Sequence, residues 1–129
     1  MSSKAILPIL FGLLVVGFTQ FGFAEEIEEI TFIAVDEPEF EQPQSKYSYQ
    51  EIIIYGHIVD YNRGQPITFV ISFPDETQYE INTYATRNGD IYTLFHITND
   101  SQIGVHNILL KINDEALATT SFEILKNQN

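Results

Sequence analysis

The sequence predicts an all-β fold, a single antiparallel β-sandwich of about six to seven strands. From Tyr49 onward, apolar runs of six to ten residues recur, and each run ends in turn-forming residues. None of these runs has the 3.6-residue spacing of an amphipathic helix, and apolar and polar side chains alternate in most of them. Short strands that are separated by polar turns at intervals of about 12 residues are typical of β-sandwiches and barrels.

Six strands follow from these runs, and turn-forming residues mark their limits. The first run ends at the polar segment 60–64, and the second begins at Pro66 and ends at Pro74. The predicted strands are residues 52–59, 67–73, 79–84, 91–97, 105–112 and 117–125.

Alternation within the strands assigns one face of most of them to the core. Phe95 and Phe122 fall in the apolar register, so both are predicted on the packed face, and Phe95→Ala is expected to cost about 3–5 kcal/mol of stability. The segment Ile52–Tyr55 is apolar on both faces, which predicts a position in the middle of a sheet or beneath the preceding segment. Gly56 predicts a bulge or a close approach of another backbone segment.

The dipeptide Asn88-Gly89 is the clearest turn signal in the chain. Both residue types tolerate the positive φ angles that a type I′ hairpin requires. The sequence therefore predicts that residues 78–85 pair with residues 90–97 as a β-hairpin.

The first 24 residues have the order of a secretory signal peptide. Lys4 supplies a positive start, residues 5–23 are almost entirely apolar, and the small residues Gly22 and Ala24 precede a glutamate cluster. We expect cleavage after Ala24 and a secreted or extracytoplasmic protein. The alternative is an uncleaved N-terminal membrane anchor, because the apolar run approaches the ~20 residues that span a bilayer.

The segment 25–46 is predicted to be an acidic spacer, since it carries eight acidic residues, one basic residue and two prolines. Residues 30–35 are β-branched and apolar enough to add one edge strand to the domain. The sandwich is assigned to residues 47–126, and residues 127–129 form a tail.

Composition excludes several classes of function. The chain contains no cysteine, so thiolate metal sites, cysteine nucleophiles and disulfides are ruled out. Its net charge of −12 disfavours nucleic-acid binding, because such a surface repels phosphate backbones. No nucleophile, zincin, phosphate-loop or dinucleotide motif is present in the sequence, and a protein without enzymatic activity or cofactor is expected.

One set of carboxylates raises the question of calcium. If consecutive strands run antiparallel, every second loop lies at the same end of the sandwich, which would collect Asp60, Asp90, Asp114 and Glu115. Oxygen ligands of this kind suit calcium, whereas aspartate is also favoured in turns without any ion. Asn99-Asp100-Ser101 is a glycosylation sequon in a predicted loop.

Turns and core positions follow one another in a characteristic order in residues 54–60, 64–71, 74–75, 88–95, 104–108 and 120–124. This order resembles the immunoglobulin-like (Ig-like) modules of secreted and cell-surface proteins in prokaryotes. The likeness is to macroglobulin-type and adhesin-type modules, and above all to those of archaeal surface proteins. His106 stands where such modules often carry a tyrosine.

The resemblance implies an Ig-like sandwich with roles in adhesion, spacing or assembly, and it transfers no catalytic residue. We therefore expect an exported, non-catalytic interaction or structural module whose partner is a protein or a component of the cell envelope. The alternative is a calcium-dependent ligand-binding sandwich. Contact with a membrane is expected only if the N-terminal segment is retained.

Overall fold

Eight β-strands form the regular structure of residues 29–127, which are the residues that the computed structural model describes. The strands are β1 (Phe32–Val35), β2 (Glu39–Glu41), β3 (Gln50–His57), β4 (Pro66–Ser72), β5 (Gln78–Tyr84), β6 (Asp90–Ile97), β7 (Gly104–Ile112) and β8 (Glu115–Leu125). This part of the chain has no helix, and therefore none that is long and apolar enough to cross a membrane. The predicted signal peptide, residues 1–24, and its cleavage point after Ala24 lie outside the described residues.

The strands form two sheets. One has three strands in the order β1-β3-β6, and the other has five in the order β2-β8-β7-β4-β5. Neighbouring strands are antiparallel except β2 and β8, which are parallel. The prediction of an all-β sandwich is confirmed, with one strand more than the predicted maximum and one parallel pair.

The region predicted as an acidic spacer contributes two strands. β1 lies within residues 30–35, the predicted edge strand, and pairs with β3. β2 was not predicted, because a single buried residue, Phe40, stands between two exposed glutamates. The ring of Phe40 packs against the ring of Phe122 in the core, with the centroids 5.9 Å apart.

The core is filled mainly by isoleucine and phenylalanine side chains from the inner faces of both sheets. The alternation predicted from the sequence is confirmed in β4 and β7, where Ile67, Phe69, Ile71, Ile108 and Leu110 are fully buried. β3 is the central strand of its sheet, as its apolar character on both faces predicted.

The close backbone approach predicted at Gly56 is present. A β-carbon at this position would overlap the carbonyl oxygen of Phe32 and would lie 2.9 Å from the Cα atom of Ile33. Because both are backbone atoms of β1, only glycine allows β1 to pair with β3 at this separation.

The predicted hairpin at Asn88-Gly89 is wrong. β5 pairs with β4, and β6 pairs with β3 in the other sheet, so the segment between β5 and β6 crosses from one sheet to the other. A turn does form there, because the Gly89 N–H donates to the Thr86 carbonyl at 2.8 Å and Gly89 has a φ of 90°. The carbonyl of Gly89 then accepts a hydrogen bond from the N–H of Ile58, which extends the pairing of β6 with β3.

The two sides of the sandwich close differently. On one side the short strands β1 and β2 follow each other directly and connect the sheets, and the Glu123 N–H donates to the carbonyl of Pro38 between them. On the other side, β6 ends the three-stranded sheet and β5 ends the five-stranded sheet. Neither of these two strands has a neighbour at its outer edge in residues 29–127.

Candidate binding groove

An open groove with a volume of about 660 Å³ lies between β5 and β6. Its apolar lining includes Tyr79 and Ile81 from β5, Phe73 directly after β4, and Leu94 and Phe95 from β6. The groove exists because one sheet is narrower than the other, so the inner face of β5 has no strand opposite it. Phe95 is therefore only partly buried, although the sequence places it correctly on the inner face.

The free edge of β6 borders this groove. Ile58 and Gly89 form a hydrogen-bonded pair, and pairs alternate along an antiparallel ladder, so Ile91 and every second residue after it bond to β3. The backbone N–H and C=O groups of Tyr92, Leu94 and His96 consequently point away from the sheet. The outward backbone groups of Asp90 already have partners within the chain. Its N–H donates to the hydroxyl of Thr86, and its carbonyl accepts from the N–H of Thr86.

The edge of β5 is better protected than that of β6. Glu80 lies in the middle of β5, and a charge on an edge strand discourages pairing with another strand. On β6, the residues with outward backbone groups are Tyr92, Leu94 and His96, which carry no carboxylate or lysine, and all three side chains are exposed. The more available edge for an added strand is therefore that of β6.

His106 lies where the groove meets the core. Its side chain is 1% exposed, its ring stacks on that of Phe122 with centroids 4.9 Å apart, and it contacts the edge of Phe73. Its Nδ1 atom lies 3.1 Å from the carbonyl oxygen of Gly104, which can only accept, so Nδ1 carries the proton. Burial lowers the pKa of His106, which keeps the ring neutral and leaves Nε2 as an acceptor without a partner in the described chain.

Carboxylates surround the groove. Asp100 is part of its lining, and Glu51 contacts the lining residue His96 at 3.3 Å. The turn before β5 carries two more, Asp75 and Glu76. No lysine or arginine of the described chain lines the groove.

The four residues predicted as calcium ligands do share one end of the sandwich, because the ends of β3 and β7 and the starts of β6 and β8 meet there. They do not form a ligand group: within residues 29–127 no three histidine or carboxylate side chains are placed to hold a metal ion. Asp114 lies 3.7 Å from the ammonium group of Lys111, and its side chain is 96% exposed. Asp90 instead contacts His57.

His57 joins two carboxylates across the three-stranded sheet. Its Nδ1 atom lies 2.9 Å from Asp90 at the start of β6, and its Nε2 atom lies 3.4 Å from Glu29 before β1. The hydrogen bond with Asp90 is the main cause that raises the pKa of His57 above its ordinary value of 6.5. The sequence did not single out this cluster, because its members are far apart along the chain.

The predicted sequon lies at the border of the groove. Asn99 is in the turn between β6 and β7, and the neighbouring Asp100 and Ser101 line the groove. The Ser101 hydroxyl accepts a hydrogen bond from the N–H of Thr98 at 2.8 Å. A glycan on Asn99 would therefore stand beside the groove, and its presence stays a prediction.

Comparison with known proteins identifies the fold. An immunoglobulin-like protein from Pseudomonas aeruginosa superposes with a TM-score of 0.54 and 15% sequence identity, over 78% of this chain and 97% of that protein. The fold is immunoglobulin-like. This likeness supports the Ig-like part of the sequence-based resemblance, whereas the archaeal, macroglobulin-type and adhesin-type parts remain expectations.

A second solved structure is less similar to the Ig-like sandwich. It is an alkylpurine DNA glycosylase from Pseudomonas fluorescens bound to DNA with an abasic-site analogue, with a TM-score of 0.46, 10% identity and coverage of 74% of this chain and 29% of that protein. No protein-family model and no curated protein sequence matches the chain.

Sequence reasoning missed the groove of the Ig-like sandwich. Its lining comes from three strands, from the residue after β4 and from the loop between β6 and β7, and it depends on β5 and β6 belonging to different sheets. The predicted hairpin would have paired these two strands and left no groove between them. One signal was available, since His106 interrupts an otherwise apolar inner face.

Proposed function

We propose that the protein is an exported, non-catalytic interaction module that binds a polypeptide partner in the groove between β5 and β6. The observation that carries this proposal is the apolar groove beside the unprotected edge of β6. Extended peptides bind proteins by adding a strand to such an edge, where backbone hydrogen bonds supply affinity and pockets supply selectivity.

Export is the second part of the proposal, and it rests on the signal-like residues 1–24. The full-length chain should be expressed in a secreting host and its exported form measured by intact mass spectrometry. We expect the mature product to begin at Glu25. If the product begins at Met1 or Ser2 and stays with the membrane, the N-terminal segment is an uncleaved anchor and the proposal of a cleaved signal peptide is wrong.

The binding site can be tested by blocking the groove. Tyr79 on β5 lines the groove at 52% exposure, whereas Tyr84 on the same strand, at 63% exposure, lies outside the lining and provides a matched control. We expect Tyr79→Arg to abolish capture of a partner from cell-envelope extract and Tyr84→Arg to leave it intact. Equal capture by both variants would exclude the groove as the contact surface.

A further inference from the structure

We infer that the groove receives an extended, basic segment of a partner polypeptide, which pairs with β6 as the fourth strand of the three-stranded sheet. This inference rests on the proposed function and names the chemistry of the partner. It depends on three features of the groove: the uncovered inner face of β5, the acidic surroundings, and the unpartnered acceptor of His106.

The difference in width between the sheets defines the place of the added strand. A strand beside β6 would lie opposite β5 and would cover Tyr79 and Ile81, which line the groove. Its backbone would bond to the outward N–H and C=O groups of Tyr92, Leu94 and His96. These groups span five residues of β6, so an occupant of about five to seven residues suffices, with every second side chain directed into the groove.

Charge decides which polypeptide fits. Asp100 lines the groove, Glu51 contacts the lining residue His96, and the N–H of Asp75 donates to the lining residue Gln102. Glu76 follows Asp75 in the same turn, and no lysine or arginine of the described residues lines the groove. Lys46, which precedes β3 by a few residues, lies over the ring of Tyr47. A segment with lysine or arginine at its ends would meet opposite charge, whereas a second copy of this chain would bring another net charge of −12.

His106 adds a requirement for one polar side chain. His106 is part of the groove's lining, and its Nε2 atom is an acceptor without a partner in the described chain. A buried acceptor that stays unpaired costs stability. A threonine or serine hydroxyl on the inward-facing side of the added strand would satisfy it. We therefore expect the segment to alternate, with apolar side chains and one hydroxyl directed inward.

Synthetic peptides test the inference directly, by fluorescence anisotropy at low salt with protein from a host that does not glycosylate. The probe is Lys-Val-Thr-Thr-Thr-Val-Lys. It is compared with the same peptide carrying glutamate at both ends, and with two methylated forms, one methylated at the odd-numbered and the other at the even-numbered backbone nitrogens. We expect the lysine peptide to bind at least about tenfold more tightly than the glutamate peptide, from several opposite-charge contacts of modest strength. The methylated peptides should include one that does not bind, because strand pairing uses every second N–H.

Variants of the protein test the two structural features separately. Leu94→Pro removes an outward N–H that β3 does not use, so it should preserve folding and abolish binding, whereas Leu94→Thr keeps the N–H and should bind. His106→Phe keeps the aromatic stack but removes the Nε2 acceptor. The wild-type protein should prefer the probe peptide over a peptide with valine in place of the central, inward-facing threonine, and His106→Phe should lose this preference. Urea unfolding of each variant establishes that it is folded.

Three outcomes would overturn the inference: equal binding of the lysine and glutamate peptides, full binding of both alternately methylated peptides, or no binding of any peptide. If none binds while Tyr79→Arg still abolishes capture of a partner, the basic-strand inference fails and the proposed function stands. If Tyr79→Arg has no effect on capture, the proposed function fails as well. A further result would refute the basic partner. If the wild-type protein forms dimers without any peptide, and Leu94→Pro dissociates these dimers, the edge of β6 binds a second copy of the chain.

Discussion

The aromatic residues of the inner faces give a prediction that separates the closed core from the groove. Phe122 and Phe95 are neighbours, with ring centroids 6.2 Å apart, and both belong to the inner register. Phe122 is 2% exposed and also contacts the rings of Phe40 and His106, whereas Phe95 is partly buried and lines the groove. Truncation of the two side chains should therefore have different costs.

Phe122→Ala should lower the free energy of unfolding by about 3–5 kcal/mol, which is the usual cost of removing a phenylalanine from a closed core. Phe95→Ala should cost less, about 1–2 kcal/mol. Full burial of a phenylalanine side chain contributes roughly 1.5–3 kcal/mol, Phe95 is only partly withdrawn from water, and the open groove prevents a sealed cavity. This value replaces the 3–5 kcal/mol that the sequence alone predicted for Phe95.

Urea unfolding followed by circular dichroism and tyrosine fluorescence measures both costs, and the absence of tryptophan leaves the seven tyrosines as the intrinsic probe. For a domain of this size, each kcal/mol corresponds to about 4–8 °C in the melting temperature. Because a domain without disulfides typically has only about 5–15 kcal/mol of stability, Phe122→Leu serves as a milder substitute where Phe122→Ala does not fold. If Phe95→Ala costs as much as Phe122→Ala, the groove is not open to solvent and the reasoning is refuted.

Three further predictions concern pH, calcium and the backbone contact at Gly56. Because the hydrogen bond with Asp90 raises the pKa of His57 above 6.5, protonation of His57 should stabilise the fold fully below pH 6.5, and this contribution should be lost as pH rises through the folded-state pKa. His57→Gln should remove this loss from melting temperatures measured at pH 6.5 and upward. Millimolar calcium should raise the melting temperature no more than magnesium does, and a calcium-specific rise of several degrees that Asp60→Asn abolishes would contradict this. Gly56→Ala should displace β1 from β3, seen as faster amide exchange in residues 32–35, and unchanged protection there would show that the backbone contact is looser than described.

The sequence predicts much of the fold because the information is local. Alternation of side chains located six strands to within a few residues and placed the buried positions of β4, β7 and β8 on the correct face. β2 escaped prediction, since the one buried ring of Phe40 between exposed glutamates carries no periodicity. Its stability comes from pairing with β8 and from packing on Phe122, which are contacts across most of the chain.

The choice of strand partners could not be predicted in the same way, and the segment after β5 shows why. Asn88-Gly89 has the composition of a hairpin turn, and a turn does form there. The following strand passes to the other sheet, where Gly89 lies so close to Ile58 that a β-carbon at Gly89 would overlap the Ile58 carbonyl oxygen. That contact belongs to two segments about 30 residues apart, and nothing in either segment alone specifies it.

The same choice of partners creates the groove, so fold and candidate site depend on one topological feature. A β5–β6 hairpin would pair the free edge of β5 with β6 and would remove the groove between these two strands, on which the proposed binding rests. Because β6 passes to the other sheet, the outward backbone groups of Tyr92, Leu94 and His96 stay unpaired, and β5 has no strand opposite it. An unprotected edge strand is an aggregation hazard for a monomer. In this domain two short strands close the opposite side, whereas the edge of β6 stays open. We expect such an open edge to be retained where a partner strand occupies it.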